Sequence, residues 1–197
     1  MNQILALLGF ALVTAFTPGP NNTMVMASGA NWGFMRSAPH VLGIGIGFPA
    51  MLLAVGFGLG AVFEAFPIVH VVLRYVAFAY LVFLAWKLAR SGRPDAAGVR
   101  TGKPLTFFQA ALFQWVNPKA WVMAVGALAL FGEPSAVGAA PMLMLALIFV
   151  LAGWSSAATW CLFGTAIARF IDTGRRTAIF NGAMAILLVV SMLPSLL

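Results

Sequence analysis

Lys119 is the side chain with the most chemistry to offer in this sequence. It ends the stretch Gln114-Trp-Val-Asn-Pro-Lys119, inside an apolar run expected to be helical over 105–131. Fourteen residues into that run is ~21 Å at 1.5 Å per residue, past the middle of a ~30 Å hydrocarbon core. A charge at such depth is costly and marks a functional site by default. The competing reading is that Lys119 snorkels outward along its stem. As a cation beside free N–H groups at the start of a half-helix, it would suit an anionic group such as an amino acid's carboxylate. A second polar group sits in Thr17-Pro-Gly-Pro-Asn-Asn22. Asn21 and Asn22 each donate and accept, so they suit a zwitterion, and they equally suit capping of orphan N–H groups at a helix start. Thr17, Gln114 and Asn117 are weaker candidates of the same kind.

These residues are held at two breaks. Proline lacks an N–H, and its ring clashes with the carbonyl four residues back. Pro18 is expected to free the carbonyl of Thr14, Pro20 that of Phe16 and Pro118 that of Gln114. The residues before them, Thr17, Gly19 and Asn117, are pushed toward extended geometry. An unsatisfied backbone group in hydrocarbon costs several kcal/mol, so a break survives only inside protein or beside a wet cavity. Matching breaks in the two halves of a chain point to a transporter's binding site; harmless kinks are the alternative. The candidate substrate-binding set is Thr17, Pro18, Gly19, Pro20, Asn21, Asn22, Gln114, Asn117, Pro118 and Lys119.

The composition says what positions them. The chain has 197 residues, 62% hydrophobic and 8% charged, with mean hydropathy +1.01. No soluble domain hides that much apolar side chain. A net charge of +7 could indicate nucleic acid, but the basic residues gather at the ends of apolar runs, where the positive-inside rule puts them. Six apolar segments emerge, roughly 3–28, 38–61, 66–88, 105–131, 139–166 and 176–196. The first lacks the basic start of a signal peptide and is expected to be retained. The expectation is an all-α polytopic membrane protein with no nucleic-acid partner. It is one domain over 1–197: repeat one to about 90, a polar linker over about 91–104, and repeat two over 105–197.

Arg36, then Lys87, Arg90, Arg93, Arg100 and Lys103, then Arg169, Arg175 and Arg176 flank alternate connections, whereas the intervening loops carry Glu64 and Glu133. The rule puts the basic side in the cytoplasm and both termini outside. Two three-helix units of opposite orientation are then inverted repeats, with helices one and four broken. Gly43 and Gly47, like Gly56 and Gly60, are spaced for close helix approach. Trp32, Tyr80, Trp86, Trp154 and Trp160 include candidates for interface aromatics.

Other chemistry is bounded by absence. Asp and Glu number four, and Glu64, Asp95, Glu133 and Asp172 all fall in connections. A carboxylate proton carrier or an all-carboxylate metal site has no mid-membrane residue to use. Proton coupling would therefore fall to Lys119, alternating between charged and neutral forms. His40 and His70 are expected to be satisfied interfacial residues rather than relays. Cys161 is the one cysteine, which excludes an intrachain disulfide. No catalytic triad, metal motif or cofactor motif is present, so neither an enzyme nor a cofactor is expected.

Thr17-Pro-Gly-Pro-Asn-Asn22, Tyr80-Leu-Val-Phe-Leu-Ala-Trp-Lys-Leu88 and Phe113-Gln-Trp-Val-Asn-Pro-Lys-Ala-Trp121 together resemble the LysE/RhtB superfamily of amino-acid exporters. The likeness runs over essentially the whole chain. Ala27-Ser-Gly-Ala-Asn-Trp-Gly-Phe34 and the Phe-Gln-Trp segment look most like the cysteine/O-acetylserine exporter type. The resemblance implies six helices in a bacterial inner membrane, efflux of amino acids or derivatives driven by protons, and a homodimer. Many members of that family carry an acid midway along helix two. Here the region reads Gly45-Ile-Gly-Phe-Pro49, so neither a coupling acid nor a counter-charge for a cationic substrate carries over.

The leading expectation is a secondary exporter of small neutral amino acids or derivatives, of cysteine/O-acetylserine or homoserine/threonine type. The alternatives are a non-transporting membrane accessory subunit and a redox or metal-handling membrane protein of related fold.

Overall fold

A computed structural model of the chain describes residues 2–59, 67–91, 102–132, 139–171 and 174–191. The loops with Glu64 and Glu133, the linker over 92–101, Asp172 and the side chains of His70 and Arg74 lie outside the described residues, as does Gly60. Among the described residues eight α-helices follow in order: α1 (Asn2–Phe16), α2 (Pro20–Trp32), α3 (Phe34–Ala54), α4 (Pro67–Arg90), α5 (Phe107–Phe113), α6 (Pro118–Phe131), α7 (Ala140–Ile167) and α8 (Gly174–Val190). Short π and 3₁₀ turns extend three of them, at Val55–Leu59, Gln114–Val116 and Ala168–Phe170. No strand occurs among the described residues.

Two spans, Phe34–Gly58 and Ala140–Phe170, are long and apolar enough to cross a membrane. Gln3–Phe16 and Pro20–Trp32 pass together as a pair bent by 57°. The helices are apolar on outward faces too: Val13, Val122 and Leu147 are exposed. A helix apolar all round belongs in a core or in lipid, so this is a helical membrane protein.

The sequence expected one loop between segments 3–28 and 38–61. The structure has only Gly33 between α2 and α3, and exposed Arg36 lies in the first turn of α3. Gly33 (φ 78°) turns the chain in a single residue, its N–H bonding the Gly29 carbonyl at 2.9 Å; glycine reaches positive φ without a Cβ clash.

α7 is the hub, packing on α1, α2 and α3, while α3 also holds α5, and α4 pairs with α8. Small residues allow the closest of these contacts. A Cβ on Gly29 would strike the Cys161 carbonyl, and one on Gly164 the Met26 carbonyl, so α2 and α7 lie backbone to backbone. Gly43 and Gly47 do the same against Phe107 and Ala111 of α5, as their spacing predicts. Gly56 instead meets side chains of Met142 and Leu128, and Gly58 (φ 121°) faces open space and serves the turn after α3. One buried cluster runs through Val25, Leu81, Phe113, Cys161 and Leu188. A second runs through Leu7, Met51, Leu52, Ala124 and Phe149. Two of the tryptophans turn their indole nitrogens into the protein: Trp160 donates to the Phe16 carbonyl at 3.3 Å, and the Trp154 nitrogen is buried.

Candidate binding site at two helix breaks

Both proline stretches interrupt their helices. α1 stops at Phe16 and α2 starts at Pro20, with Pro at the first helical position, where its missing N–H costs nothing. α5 tightens through Gln114–Val116, Asn117 turns extended (φ −93°, ψ 107°), and Pro118 opens α6. Proline alone does not break a helix here: Pro39 and Pro49 lie inside α3. What differs at 18–20 and 117–118 is the company of Gly19 and Asn117, which adopt extended backbone.

The accounting of the freed carbonyls is specific. Asn22 Nδ2 donates to the Ala15 and Thr17 carbonyls, each at 2.9 Å. Ser156 Oγ of α7 also donates to Ala15, at 2.8 Å. The Lys119 ammonium donates to the Thr17 carbonyl. The Gln114 carbonyl, expected to be free, accepts the Asn117 N–H at 3.2 Å, because the 3₁₀ turn brings that N–H around before Pro118. The expectation of Asn21 and Asn22 as caps also fails. Gly19 occupies the N-cap of α2 and no side chain caps it; Asn22 reaches back to the end of α1 instead. Capping is done at the other break, where Asn117 Oδ1 accepts the Lys119 N–H at 3.2 Å.

The two breaks meet. Asn21 Nδ2 donates to Gln114 Oε1 at 2.8 Å, and Gln114 Nε2 returns a bond to Asn21 Oδ1 at 3.2 Å. Gln114 is fully buried and is also anchored to the Ala110 carbonyl at 2.8 Å. A reciprocal amide pair therefore ties the first break to the second across 93 residues of sequence.

Beside it lies a cavity of about 470 Å³, counting its open mouth. Gly19, Asn21, Asn22, Gln114, Asn117 and Lys119 all line it. Thr17 contributes its carbonyl through Lys119, while its hydroxyl turns back to Val13 at 2.6 Å. Pro18, Pro20 and Pro118 shape the backbone without lining the space. Ile44, Phe48, Phe149 and Ser156 complete the wall. None of these four was among the residues expected to form the site. Gly19 is needed for room: a Cβ there would press on the Lys119 stem.

Electrostatically, Lys119 is the one charged residue among the described residues on the lining. Its ammonium faces the carbonyl end of α1, which carries a partial negative charge. The expected company of free N–H groups is replaced by this helix C-terminus, because Asn117 has already taken the Lys119 N–H. The wall thus offers one cation, amide donors and acceptors, helix-end carbonyls and an apolar remainder.

Comparison with known proteins agrees with this architecture. Residues 12–192 match the family model of the LysE type translocator. Proteins named cysteine/O-acetylserine efflux protein, from Escherichia coli strain K12 and from Shigella sonnei, are 32% identical to the chain over 184 residues. The match covers 91% of this chain and 90% of each relative. No solved structure matches. A helical membrane chain with two facing helix breaks, matched by that family's model over nearly its full length, belongs to the LysE family of translocators and is not an enzyme.

Proposed function

We propose that the chain exports small neutral amino acids or their derivatives across the bacterial inner membrane, by alternating access around the cavity at the two breaks. One observation carries this reading: Lys119, the Asn21–Gln114 pair and the end of α1 converge on one cavity. A zwitterion needs a cation for its carboxylate and oxygen acceptors for its ammonium. Lys119 supplies the first; the α1 carbonyls and the amide oxygens supply the second. Among the described residues that line the cavity the one charge is the Lys119 cation, which would repel a second positive charge on a substrate. That favours neutral substrates over lysine. The relatives' names, which specify cysteine and O-acetylserine, fall inside this class.

Six spans follow if α1 with α2, α3, α4, α5 with α6, α7 and α8 each cross once. The inverted-repeat reading gains support from the packing. α3 lies on its counterpart α7, α4 on its counterpart α8, and the contact of α5 with α3 is mirrored by that of α1 with α7. The match is incomplete, because α2 lies tight on α7 while α6 barely meets α3. Such asymmetry suits one state of two rocking halves. In this state Thr17 holds the ammonium of Lys119, and a substrate carboxylate would take that place. The proposal includes proton coupling through Lys119, both termini in the periplasm, and a homodimer.

The test is uptake of labelled cysteine, O-acetylserine, threonine, leucine and lysine into inside-out vesicles, with and without a pH gradient. The neutral amino acids should accumulate more than lysine and respond to the gradient. Greater accumulation of lysine would overturn the substrate class.

A further inference from the structure

A second cavity, of about 450 Å³ counting its open mouth, lies further along α2. α2 lines the first cavity with Asn21 and Asn22 and the second with Met24, Ser28 and Trp32. The two linings come within about one helical turn of each other, at Asn22 and Met24 on α2 and at His40 and Ile44 on α3. Met24 of the second lining and Ile44 of the first belong, with buried Val25 and Val41, to one packed apolar cluster at that boundary.

His40 lines the second cavity at 2% exposure, and neither ring nitrogen has a hydrogen-bond partner in the protein. This corrects the expectation that His40 is a satisfied residue, since α3 buries it where no side chain among the described residues reaches either ring nitrogen. A buried polar group without a partner calls for an explanation such as a bound molecule. Ser28 beside it is paired with Ser37 at 2.9 Å. Two exposed lysines, Lys87 and Lys103, are the ionisable groups among the described residues that line the space, besides His40. Both lysines belong to the basic side that the positive-inside rule assigns to the cytoplasm.

We propose that this cavity is a cytoplasm-facing loading site for the same small amino-acid zwitterion. Lys87 and Lys103 take its carboxylate, and the His40 imidazole meets its ammonium and side-chain polar groups. A neutral imidazole presents one donor and one acceptor, which fits a ligand bearing both. The two cavities then form successive stations along α2, meeting at the cluster that holds Val25 and Val41. The inference rests on the export reading and adds the station from which export begins.

Equilibrium binding of labelled O-acetylserine to the full chain in nanodiscs tests it. The wild type should bind two molecules per chain. Lys119→Met should remove the site at the breaks and leave the other. His40→Leu should remove the second site and leave the first, and the surface pair Lys87→Ala/Lys103→Ala should weaken that second site about tenfold. Should His40→Leu fail to fold, His40→Phe replaces it, a ring of similar shape with neither donor nor acceptor, with the lysine pair carrying the same readout. One molecule per chain, lost in Lys119→Met, would overturn the loading site while sparing the export reading. So would a second site indifferent to both His40 and lysine variants. Binding unaffected by Lys119→Met would instead refute the reading beneath it, as would no binding to the wild type, which removes both.

Discussion

Replacing Lys119 with Met isolates the role of its ammonium. Methionine fills much of the lysine stem's volume and removes only the charge, so the pocket against Gly19 keeps its shape. If the ammonium holds the substrate's carboxylate, the lost interaction is a charge-assisted hydrogen bond, worth about 1.5–3 kcal/mol. That corresponds to a roughly 10- to 150-fold loss of affinity. The structure also fixes what should not change. The Thr17 carbonyl that receives the ammonium keeps a second donor, Asn22 Nδ2, at 2.9 Å. No buried acceptor is orphaned, so the stability cost is one hydrogen bond, about 0.5–1.5 kcal/mol. The assay is concentration-dependent uptake of labelled O-acetylserine into inside-out vesicles, with thermal unfolding of the same purified variant. A raised KM in a folded protein is expected. A KM within about twofold of wild type would refute carboxylate binding at Lys119. Collapse of the fold would show that Lys119 is a strut between the two breaks.

Three further outcomes follow from the same geometry. Lys119→Arg should retain charge yet lose the pH dependence of transport, because a guanidinium does not deprotonate in proteins; full pH dependence in this variant, read from initial rates across a pH series, would remove Lys119 as the coupling group. Gly164→Val should destabilise by about 1–3 kcal/mol or more, since its side chain meets the Met26 carbonyl rather than a movable side chain; unfolding temperature and yield report it. Asn31 and Asn181, both buried, exchange amide bonds at 2.8 and 3.1 Å across α2 and α8. A double-mutant cycle with leucine should give a coupling of about 0.6–1.7 kcal/mol, and additive losses would mean that the pair does not act as a unit.

Much of the site was legible because its causes are local. Proline removes an N–H wherever it stands, so the breaks at 17–19 and 117 could be read from residue order. The same rule made Lys119 conspicuous, since one charge in an apolar run needs a partner. What local rules could not decide was which partner. The spare capacity of Asn22 went to the end of α1 rather than the start of α2, because the 57° bend folds those carbonyls back over it. The Gln114 carbonyl was reclaimed by a 3₁₀ turn that depends on how α5 leads into Asn117. His40 was expected to find a partner; whether it does depends on what packs against α3, and no group among the described residues reaches its ring nitrogens.

Sequence by itself determined the solvent and the break points: 62% hydrophobic residues require a membrane, and prolines beside extended Gly19 and Asn117 require interruptions there. Tertiary structure alone decided that the two interruptions face each other, joined by Asn21 and Gln114 and walled by α3 and α7. The physical reason is range. Backbone chemistry acts over a few residues, whereas the meeting of positions 93 apart depends on how glycine-lined helices seat against one another.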